Sequence, residues 1–256
     1  AAGVDGVVPM GTTGESATLH PEEHQRVVEL AVATAAGRIR VIAGAGSSAT
    51  DKAIEMVAHA KAVGADGALV VAPYYNRPSQ TGMTAHFRAI ADAVQLPVLL
   101  YNVPGRTGSD IANETVAALA EHPNIVGIKD ATGDMGRIAW MRATLPEGFA
   151  YLSGDDASWL GYAASGGHGV ISVTSNVAPE AMIALQQALT AGDLATARSW
   201  QDRLIGLHRA LFLDNSPSPA KYALSPLVPC GWAVGPPLAS ASPGVRPSFH
   251  PRLVPG

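Results

Sequence analysis

Short apolar runs alternate with longer amphipathic segments along most of this chain. Seven of these runs are apolar over nearly their whole length, which is typical of parallel strands that are covered on both faces. The predicted strands are residues 5–9, 40–43, 67–72, 97–101, 125–129, 150–153 and 169–173. The pattern therefore indicates an α/β fold built on a parallel sheet.

Amphipathic segments between the strands predict crossover helices. In residues 21–36, one helical face is lined by Val27, Val28, Ala31, Val32 and Ala35. Pro21 stands in the first turn, where proline is tolerated. The other predicted helices are residues 49–63, 81–94, 113–121, 136–144, 156–165 and 179–190. Seven such units favour a (β/α)8 TIM barrel over an open doubly wound sheet, which usually has about five or six strands. The count is one strand short of a closed barrel.

The alternation stops after residue 190. Residues 193–212 predict one long helix with apolar positions on a single face. From residue 226 onward the chain has eight prolines in 31 residues and no helical or strand period. We therefore expect a barrel at residues 1–190, a helical region at residues 191–225 and an irregular tail at residues 226–256.

Composition narrows the classes of partner. The 256 residues are 47% hydrophobic and 15% charged, with a net charge of -4 and no run of Lys or Arg, so neither nucleic acid nor an anionic membrane surface is expected as a partner. No apolar stretch reaches the roughly 20 residues of a membrane span. The single cysteine, Cys230, excludes an internal disulfide framework. These features predict a soluble, cytoplasmic protein.

Lys129 is the residue whose position most suggests chemistry. It ends the apolar run 125–129, so its amine emerges at the carboxyl end of a buried strand, where α/β folds place their reactive groups. Partial burial lowers the pKa of an amine by disfavouring the cation, which frees a lone pair for attack on a ketone. The alternative is a structural lysine paired with a nearby carboxylate.

Polar loops after other predicted strands point to the same face of the sheet. Residues 11–16 offer the hydroxyls of Thr12 and Thr13 and backbone N–H groups that could hold a carboxylate, although an ordinary capping turn would use the same residues. The loop at residues 101–108 carries Tyr101, a possible proton relay, and Arg106, a possible carboxylate clamp.

Two further motifs look like a dinucleotide site and a zinc site, but each has a key residue in the wrong position. The sequence therefore predicts neither a cofactor nor a metal. Residues 44–49 match the dinucleotide-binding pattern G-x-G-x-x-A, but Asp66 precedes the next strand, whereas the ribose-binding acid belongs at its far end. His20 and His24 have the spacing of zinc ligands on a helix. Pro21 places His20 at or before the helix cap, off the face that carries His24.

Four motifs in this order resemble the dihydrodipicolinate synthase family, within the pyruvate-dependent class I aldolases. They are Gly11-Thr12-Thr13-Gly14-Glu15-Ser16, Tyr74-Tyr75-Asn76-Arg77-Pro78, Tyr101-Asn102-Val103-Pro104-Gly105-Arg106-Thr107-Gly108 and Gly127-Ile128-Lys129-Asp130. The resemblance implies a (β/α)8 barrel lacking its first strand and helix, with a C-terminal helical extension, in a homotetramer. It implies the condensation of pyruvate with aspartate 4-semialdehyde to 4-hydroxy-tetrahydrodipicolinate, in lysine and diaminopimelate biosynthesis, without a cofactor.

The resemblance also assigns roles to single residues. It implies that Lys129 forms an imine with pyruvate and that Thr12 and Thr13 hold the pyruvate carboxylate. Tyr101 and Thr13 would relay protons, helped by Tyr75 of a neighbouring subunit. The remaining implied substrate-binding residues are Arg106, which would bind the semialdehyde, and Gly154 and the carbonyl group of Ile171, which would line the pocket.

The sequence departs from the family pattern in three places. The family begins with a further strand and helix, and without them we expect two unpaired sheet edges. After residue 225 the family continues with helices, so we expect the resemblance to end near that point. Lys52 and Ser48 stand where lysine-inhibited members have an acid and an amide, and this predicts weak feedback inhibition by lysine.

Two alternative functions stay open from the sequence. A related pyruvate-dependent aldolase, of the N-acetylneuraminate lyase or keto-deoxy sugar acid type, would share Lys129 and Tyr101 but accept a longer polyhydroxylated partner. A catalytically silent, truncated chain is the other alternative. Arg106 in its Pro-Gly-Arg-Thr-Gly loop favours a short anionic aldehyde.

Overall fold

A computed structural model describes residues 2–249 and contains a curled sheet of seven parallel strands. The strands are β1 (Gly6–Val7), β2 (Arg40–Gly44), β3 (Gly67–Val71), β4 (Val98–Asn102), β5 (Ile125–Asp130), β6 (Ala150–Ser153) and β7 (Gly169–Val170). All seven predicted strands are present, and the fold is a TIM-barrel-like α/β fold. The carboxyl ends of all seven strands therefore lie at the same end of the sheet.

The order of the strands in the sheet is the same as their order in the chain. Within residues 2–249, β1 pairs with β2 and β7 with β6, and no backbone pairing joins β1 to β7. Both terminal strands have two residues, against the five predicted for each, because a strand with one neighbour forms hydrogen bonds along one edge only.

Helices connect the strands on the outside of the sheet. They are α1 (Pro21–Ala35), α2 (Thr50–Ala62), α3 (Gln80–Ala93), α4 (Pro104–Thr107), α5 (Asn113–Ala120), α6 (Met135–Thr144), α7 (Trp159–Ala164), α8 (Pro179–Thr190), α9 (Leu194–Ala210) and α10 (Ser218–Leu224). The prediction missed α4 and α10, which are short. It also began α7 at residue 156, but Asp155 accepts hydrogen bonds from the backbone and hydroxyl of Ser158 and holds this segment in a turn.

The sheet separates two apolar layers. On β4, the side chains of Val98 and Leu100 are buried against the helices, whereas those of Leu99 and Tyr101 belong to a second cluster inside the curl of the sheet. This division follows from the alternation of side chains along a strand. Tyr101 is therefore directed into the interior of the barrel.

The C-terminal helices and the tail form a third packed unit. Leu207 of α9, Ala223 of α10, Val245 and Phe249 share one apolar cluster, in which Phe249 is 1% exposed. Residues 226–249 are irregular apart from one short 3-10 turn at Arg246–Ser248. The tail is thus packed against the helical region despite its lack of regular structure.

None of the helices within residues 2–249 is both long and apolar enough to span a bilayer.

Candidate active site

A cavity of about 1450 Å³ opens at the carboxyl ends of the strands and continues along the gap between β1 and β7. Its lining includes seven of the eight residues predicted to form a site: Thr12, Thr13, Tyr101, Arg106, Lys129, Gly154 and Ile171. Tyr75 is the exception. Residues from β1, β4, β5, β6 and β7 or from the loops that follow them therefore meet in one cavity.

Lys129 and Tyr101 are adjacent because β4 and β5 pair in a register that places them side by side. The Lys129 amine nitrogen lies 4.0 Å from the centroid of the Tyr101 ring. Burial lowers the pKa of Lys129 to about 8, the Asp156 charge opposes this shift, and the Arg106 charge adds to it. With that pKa, about a tenth of the amines are uncharged at pH 7, compared with less than about a thousandth for an exposed lysine.

The phenol of Tyr101 stays protonated at neutral pH. Burial raises its pKa, while the neighbouring Thr12 side chain and the Arg106 charge act in the opposite direction. A protonated phenol can donate to a carbonyl oxygen and then recover the proton, so this residue can act as a general acid and base.

The loop that carries Thr12 and Thr13 is held by the C-terminal region. Its 3-10 turn, Thr12–Gly14, is followed by Glu15 in the left-handed conformation, with φ of 60°. The Glu15 carboxylate accepts a hydrogen bond from the Lys221 amine at 2.6 Å and another from the backbone N–H of Gly235 at 3.1 Å. These contacts stabilise a backbone conformation that is unfavourable for a non-glycine residue.

Arg106 occupies a single helical turn, α4, that begins at Pro104, ends at Thr107 and is capped by Gly108, whose φ is 69°. The Thr107 hydroxyl donates to the carbonyl groups of Val103 and Ser109 and fixes this turn. Among the described residues, Arg106 has no carboxylate partner within ion-pairing distance. An exposed cation of this kind at a cavity wall can bind an anionic substrate.

Gly154 leaves room for the lysine. A Cβ atom at this position would lie 2.7 Å from the Cβ of Ala131 and 2.9 Å from the Cε of Lys129, so any side chain would displace the amine. Ile171 follows β7 directly, and its backbone N–H donates to the carbonyl of Ser153 at 2.9 Å. This bond ties the loop after β7 to the end of β6.

Tyr75 lies apart from the cavity within this single chain. Its side chain is 93% exposed, and its φ of 73° is in the left-handed region. Its backbone N–H donates to the carbonyl of Thr107, next to Arg106. The predicted catalytic role of Tyr75 needs a second subunit and stays a prediction.

Close packing explains the glycines of the G-x-G-x-x-A segment. A Cβ atom on Gly44 would lie 2.1 Å from the carbonyl oxygen of Met10, and one on Gly46 would lie 2.5 Å from Val71. Of the two histidines with zinc-like spacing, His20 is the N-cap of α1 and His24 bonds to the carbonyl of Gly44. In the part of the chain that the structure describes, no group of three or more His, Cys, Asp or Glu side chains could hold a metal ion.

Two contributors to the site were missed from the sequence. The motif at residues 11–16 predicts no role for the Glu15 side chain, and the sequence pattern predicts Asp156 in the first turn of a helix. The one available signal for Asp156 was its place in a Gly-Asp-Asp run directly after a predicted strand, where polar residues reach the reactive face. The signal did not separate Asp156 from Asp155.

Comparison with known proteins places these features in a family. The sequence profile of the dihydrodipicolinate synthetase family matches residues 1–253. The match extends past residue 225, where the resemblance was expected to end. That expectation was therefore wrong, and the structure likewise packs Val245 and Phe249 of the tail against α9 and α10.

Relatives with curated names are similar over most of the chain. The 4-hydroxy-tetrahydrodipicolinate synthase of Phenylobacterium zucineum is 59% identical over 246 residues, which are 96% of this chain and 84% of that protein. The 4-hydroxy-tetrahydrodipicolinate synthase of Hyphomonas neptunium is 61% identical over 242 residues, which are 94% of this chain and 83% of that protein.

Solved structures agree with this assignment. Dihydrodipicolinate synthase from Aquifex aeolicus superposes with a TM-score of 0.96 and 44% identity, covering 98% of this chain and 86% of that chain. The chloride-inhibited dihydrodipicolinate synthase from Acinetobacter baumannii, solved in complex with pyruvate, superposes with a TM-score of 0.95 and 43% identity over 98% of this chain and 87% of that chain. With a matching profile, close relatives and a shared fold, this chain belongs to the dihydrodipicolinate synthetase family.

Proposed function

We propose that this chain is a lyase of the class I aldolase type that condenses pyruvate with aspartate 4-semialdehyde to give 4-hydroxy-tetrahydrodipicolinate, a step of lysine and diaminopimelate biosynthesis. The names of the relatives support this reaction. The observation that carries the chemistry is the half-buried Lys129 amine, with a pKa of about 8, beside the Tyr101 phenol in one cavity.

The first stage is imine formation. The uncharged Lys129 nitrogen bonds to the ketone carbon of pyruvate, and the ketone oxygen leaves as water after it has received protons. Tyr101 supplies and recovers these protons together with the Thr13 hydroxyl. Thr12 and Thr13 hold the pyruvate carboxylate through hydroxyl and backbone donors at the start of the 3-10 turn, while Gly154 and the carbonyl of Ile171 border the bound pyruvate.

The second stage forms the carbon–carbon bond. The protonated imine draws electrons from the pyruvate methyl group, which loses a proton to give an enamine. The enamine carbon attacks the aldehyde carbon of the semialdehyde, and the aldehyde oxygen takes up a proton. The amino group of the same substrate then bonds to the imine carbon, displaces Lys129 and closes the ring.

Arg106 gives the experiment that separates this reaction from that of a related aldolase. We expect wild type to consume aspartate 4-semialdehyde with pyruvate and to leave a neutral polyhydroxylated aldehyde unreacted. Arg106→Met should lower kcat/KM for the semialdehyde by about 10- to 100-fold, the effect of losing a hydrogen bond to a charged group. A coupled assay with each aldehyde measures both effects.

The control for the Arg106→Met experiment is imine formation with pyruvate in the absence of any aldehyde. Arg106→Met should still form the pyruvate imine, which reductive trapping detects, because Arg106 is assigned to the second substrate. Faster turnover of the polyhydroxylated aldehyde by wild type would favour the N-acetylneuraminate lyase or keto-deoxy sugar acid aldolase type instead.

We propose further that the chain works as a cytoplasmic homotetramer in which Tyr75 enters the cavity of a neighbouring subunit. The support is its 93% exposed aromatic side chain, held by a bond from its backbone to the Thr107 carbonyl. Sedimentation equilibrium should give the mass of four chains, and Tyr75→Arg should shift the population to smaller species. A monomer with full activity would contradict the sharing of Tyr75.

A further inference from the structure

A buried carboxylate lies behind the cavity, where the loops after β6 and β7 meet. Asp156 is 3% exposed, and its Oδ2 atom accepts hydrogen bonds from the backbone N–H groups of Val173 and Thr174, both at 2.9 Å. These residues follow Ile171, and Asp156 itself follows Gly154. The carboxylate therefore joins the two loops that border the proposed pyruvate position.

The long helix α9 fixes this arrangement from outside. Gln201 donates to the carbonyl groups of Asp156 and Ala157 at 3.2 and 3.0 Å, and Nδ1 of His208 lies 2.7 Å from the Thr174 hydroxyl. Gln201 and His208 are seven residues apart, about two helical turns, so both lie on the same face of α9. Both side chains are buried. The C-terminal helical region thus holds both loops through polar contacts. Because these side chains are buried, few other hydrogen-bond partners are open to them.

The negative charge of Asp156 also acts on the Lys129 amine. Among the groups around Lys129, Arg106 on α4 disfavours the ammonium form and Asp156 favours it. Asp130, next to Lys129 on β5, is already paired with Arg137 of α6 at 2.9 Å. Other titratable groups that line the cavity near its strand ends include Tyr101 on β4, Asp155 beside Asp156 and His168 directly before β7, and His208 on α9 lies close enough to Asp156 for their charges to interact.

One half of the Asp156 carboxylate has no hydrogen-bond partner. Its Oδ1 atom is buried and unpaired within residues 2–249, as is the Nε2 atom of His208. A buried carboxylate that forms fewer bonds than it can accept carries a cost in stability. A buried, incompletely bonded carboxylate whose charge acts on the Lys129 amine is a candidate for a residue that tunes the site.

We propose that Asp156 is a positioning residue of the condensation site, which holds the two pocket loops in place and, through its charge, sets the pH range in which Lys129 attacks. Thr174, Gln201 and His208 keep the carboxylate and its loops in register. The inference rests on the proposed function only in that Lys129 is taken as the nucleophile towards a 2-oxo acid.

The test is the rate at which cyanoborohydride traps the pyruvate imine, measured against pH without any aldehyde. Asp156→Asn is nearly isosteric: its carbonyl oxygen can accept the two N–H bonds, and its NH2 group takes the place of the unpaired Oδ1. Loss of the negative charge disfavours the Lys129 ammonium, so the rising limb of the profile should move to lower pH. At pH 6, we expect trapping relative to the plateau of the same variant to increase about three-fold.

Two control variants separate charge from structure. Asp155→Asn removes the same charge one residue away, where the carboxylate bonds to Ser158, and its rising limb should stay near that of wild type. Asp156→Glu keeps the charge but displaces it, so its rising limb should stay in place while the plateau rate falls. The Glu variant also serves as the test of positioning if the Asn variant does not fold.

The outcomes discriminate the claims. An unmoved limb in folded Asp156→Asn would overturn the effect of its charge, and an equal shift in Asp155→Asn would overturn the assignment of that effect to Asp156. An unchanged plateau in Asp156→Glu would overturn the positioning role. If wild type itself traps no pyruvate at any pH, the proposed function fails and not the role of Asp156.

Discussion

Replacement of Lys129 by arginine is expected to reduce kcat by at least about 10³-fold, because a guanidinium stays charged and offers no lone pair to the ketone carbon. The variant keeps a positive charge at the end of β5, so the loss reports the missing nucleophile rather than a missing charge. The measurement is a coupled assay with pyruvate and the semialdehyde, at enzyme concentrations high enough to detect the residual rate.

Lys61→Arg is the matched control for this substitution. Lys61 lies on the exposed side of α2 and does not line the cavity, so this variant should keep the wild-type kcat. Thermal melting of both variants checks that the fold is intact. If folded Lys129→Arg retained more than about a tenth of the wild-type kcat, an imine on this residue would be excluded as the route.

Tyr101→Phe should lower kcat by about 10²- to 10⁴-fold, the usual contribution of a positioned general acid or base. The ring remains beside the amine and continues to fill the interior cluster, so the change removes the hydroxyl alone. The KM for pyruvate should change little, because the proposed carboxylate contacts come from Thr12 and Thr13. Steady-state kinetics over a range of pyruvate concentrations separate kcat from KM.

Tyr162→Phe is the corresponding control. Tyr162 is a buried tyrosine on α7 outside the cavity, and its hydroxyl has no hydrogen-bond partner within residues 2–249. Removal of that hydroxyl should leave both kinetic constants unchanged. Equal losses in the two phenylalanine variants would mean that the Tyr101 effect is one of packing and not of proton transfer.

The order of the elements could be predicted from the sequence because buried parallel strands have continuous apolar sequences. Lys129 and Tyr101 could be placed at strand ends for the same reason. Their contact depends on the register between β4 and β5, which apolar runs do not specify. The shortening of β1 and β7 was not predicted, since strand length at the edge of a sheet depends on what pairs with it.

The contacts that hold the site in place could not be predicted from local sequence patterns. Glu15 bonds to Lys221, which lies 206 positions further along the chain. Asp156 accepts hydrogen bonds from the backbone N–H groups of Val173 and Thr174, and backbone contacts of this kind do not depend on the type of side chain. The contact between Thr174 and His208 needs the packing of α9 against the barrel. The boundaries of the three predicted regions, at residues 190 and 225, stay a prediction.

Lys129 as the covalent attachment site for pyruvate is the central claim. Wild type incubated with pyruvate and borohydride, then digested and mapped by mass spectrometry, should carry a reduced pyruvate adduct on the peptide that contains Lys129, and the other three lysines should be unmodified. The adduct should be absent when pyruvate is left out. Labelling of Lys52, Lys61 or Lys221 in place of Lys129, or no adduct on folded protein, would contradict the account.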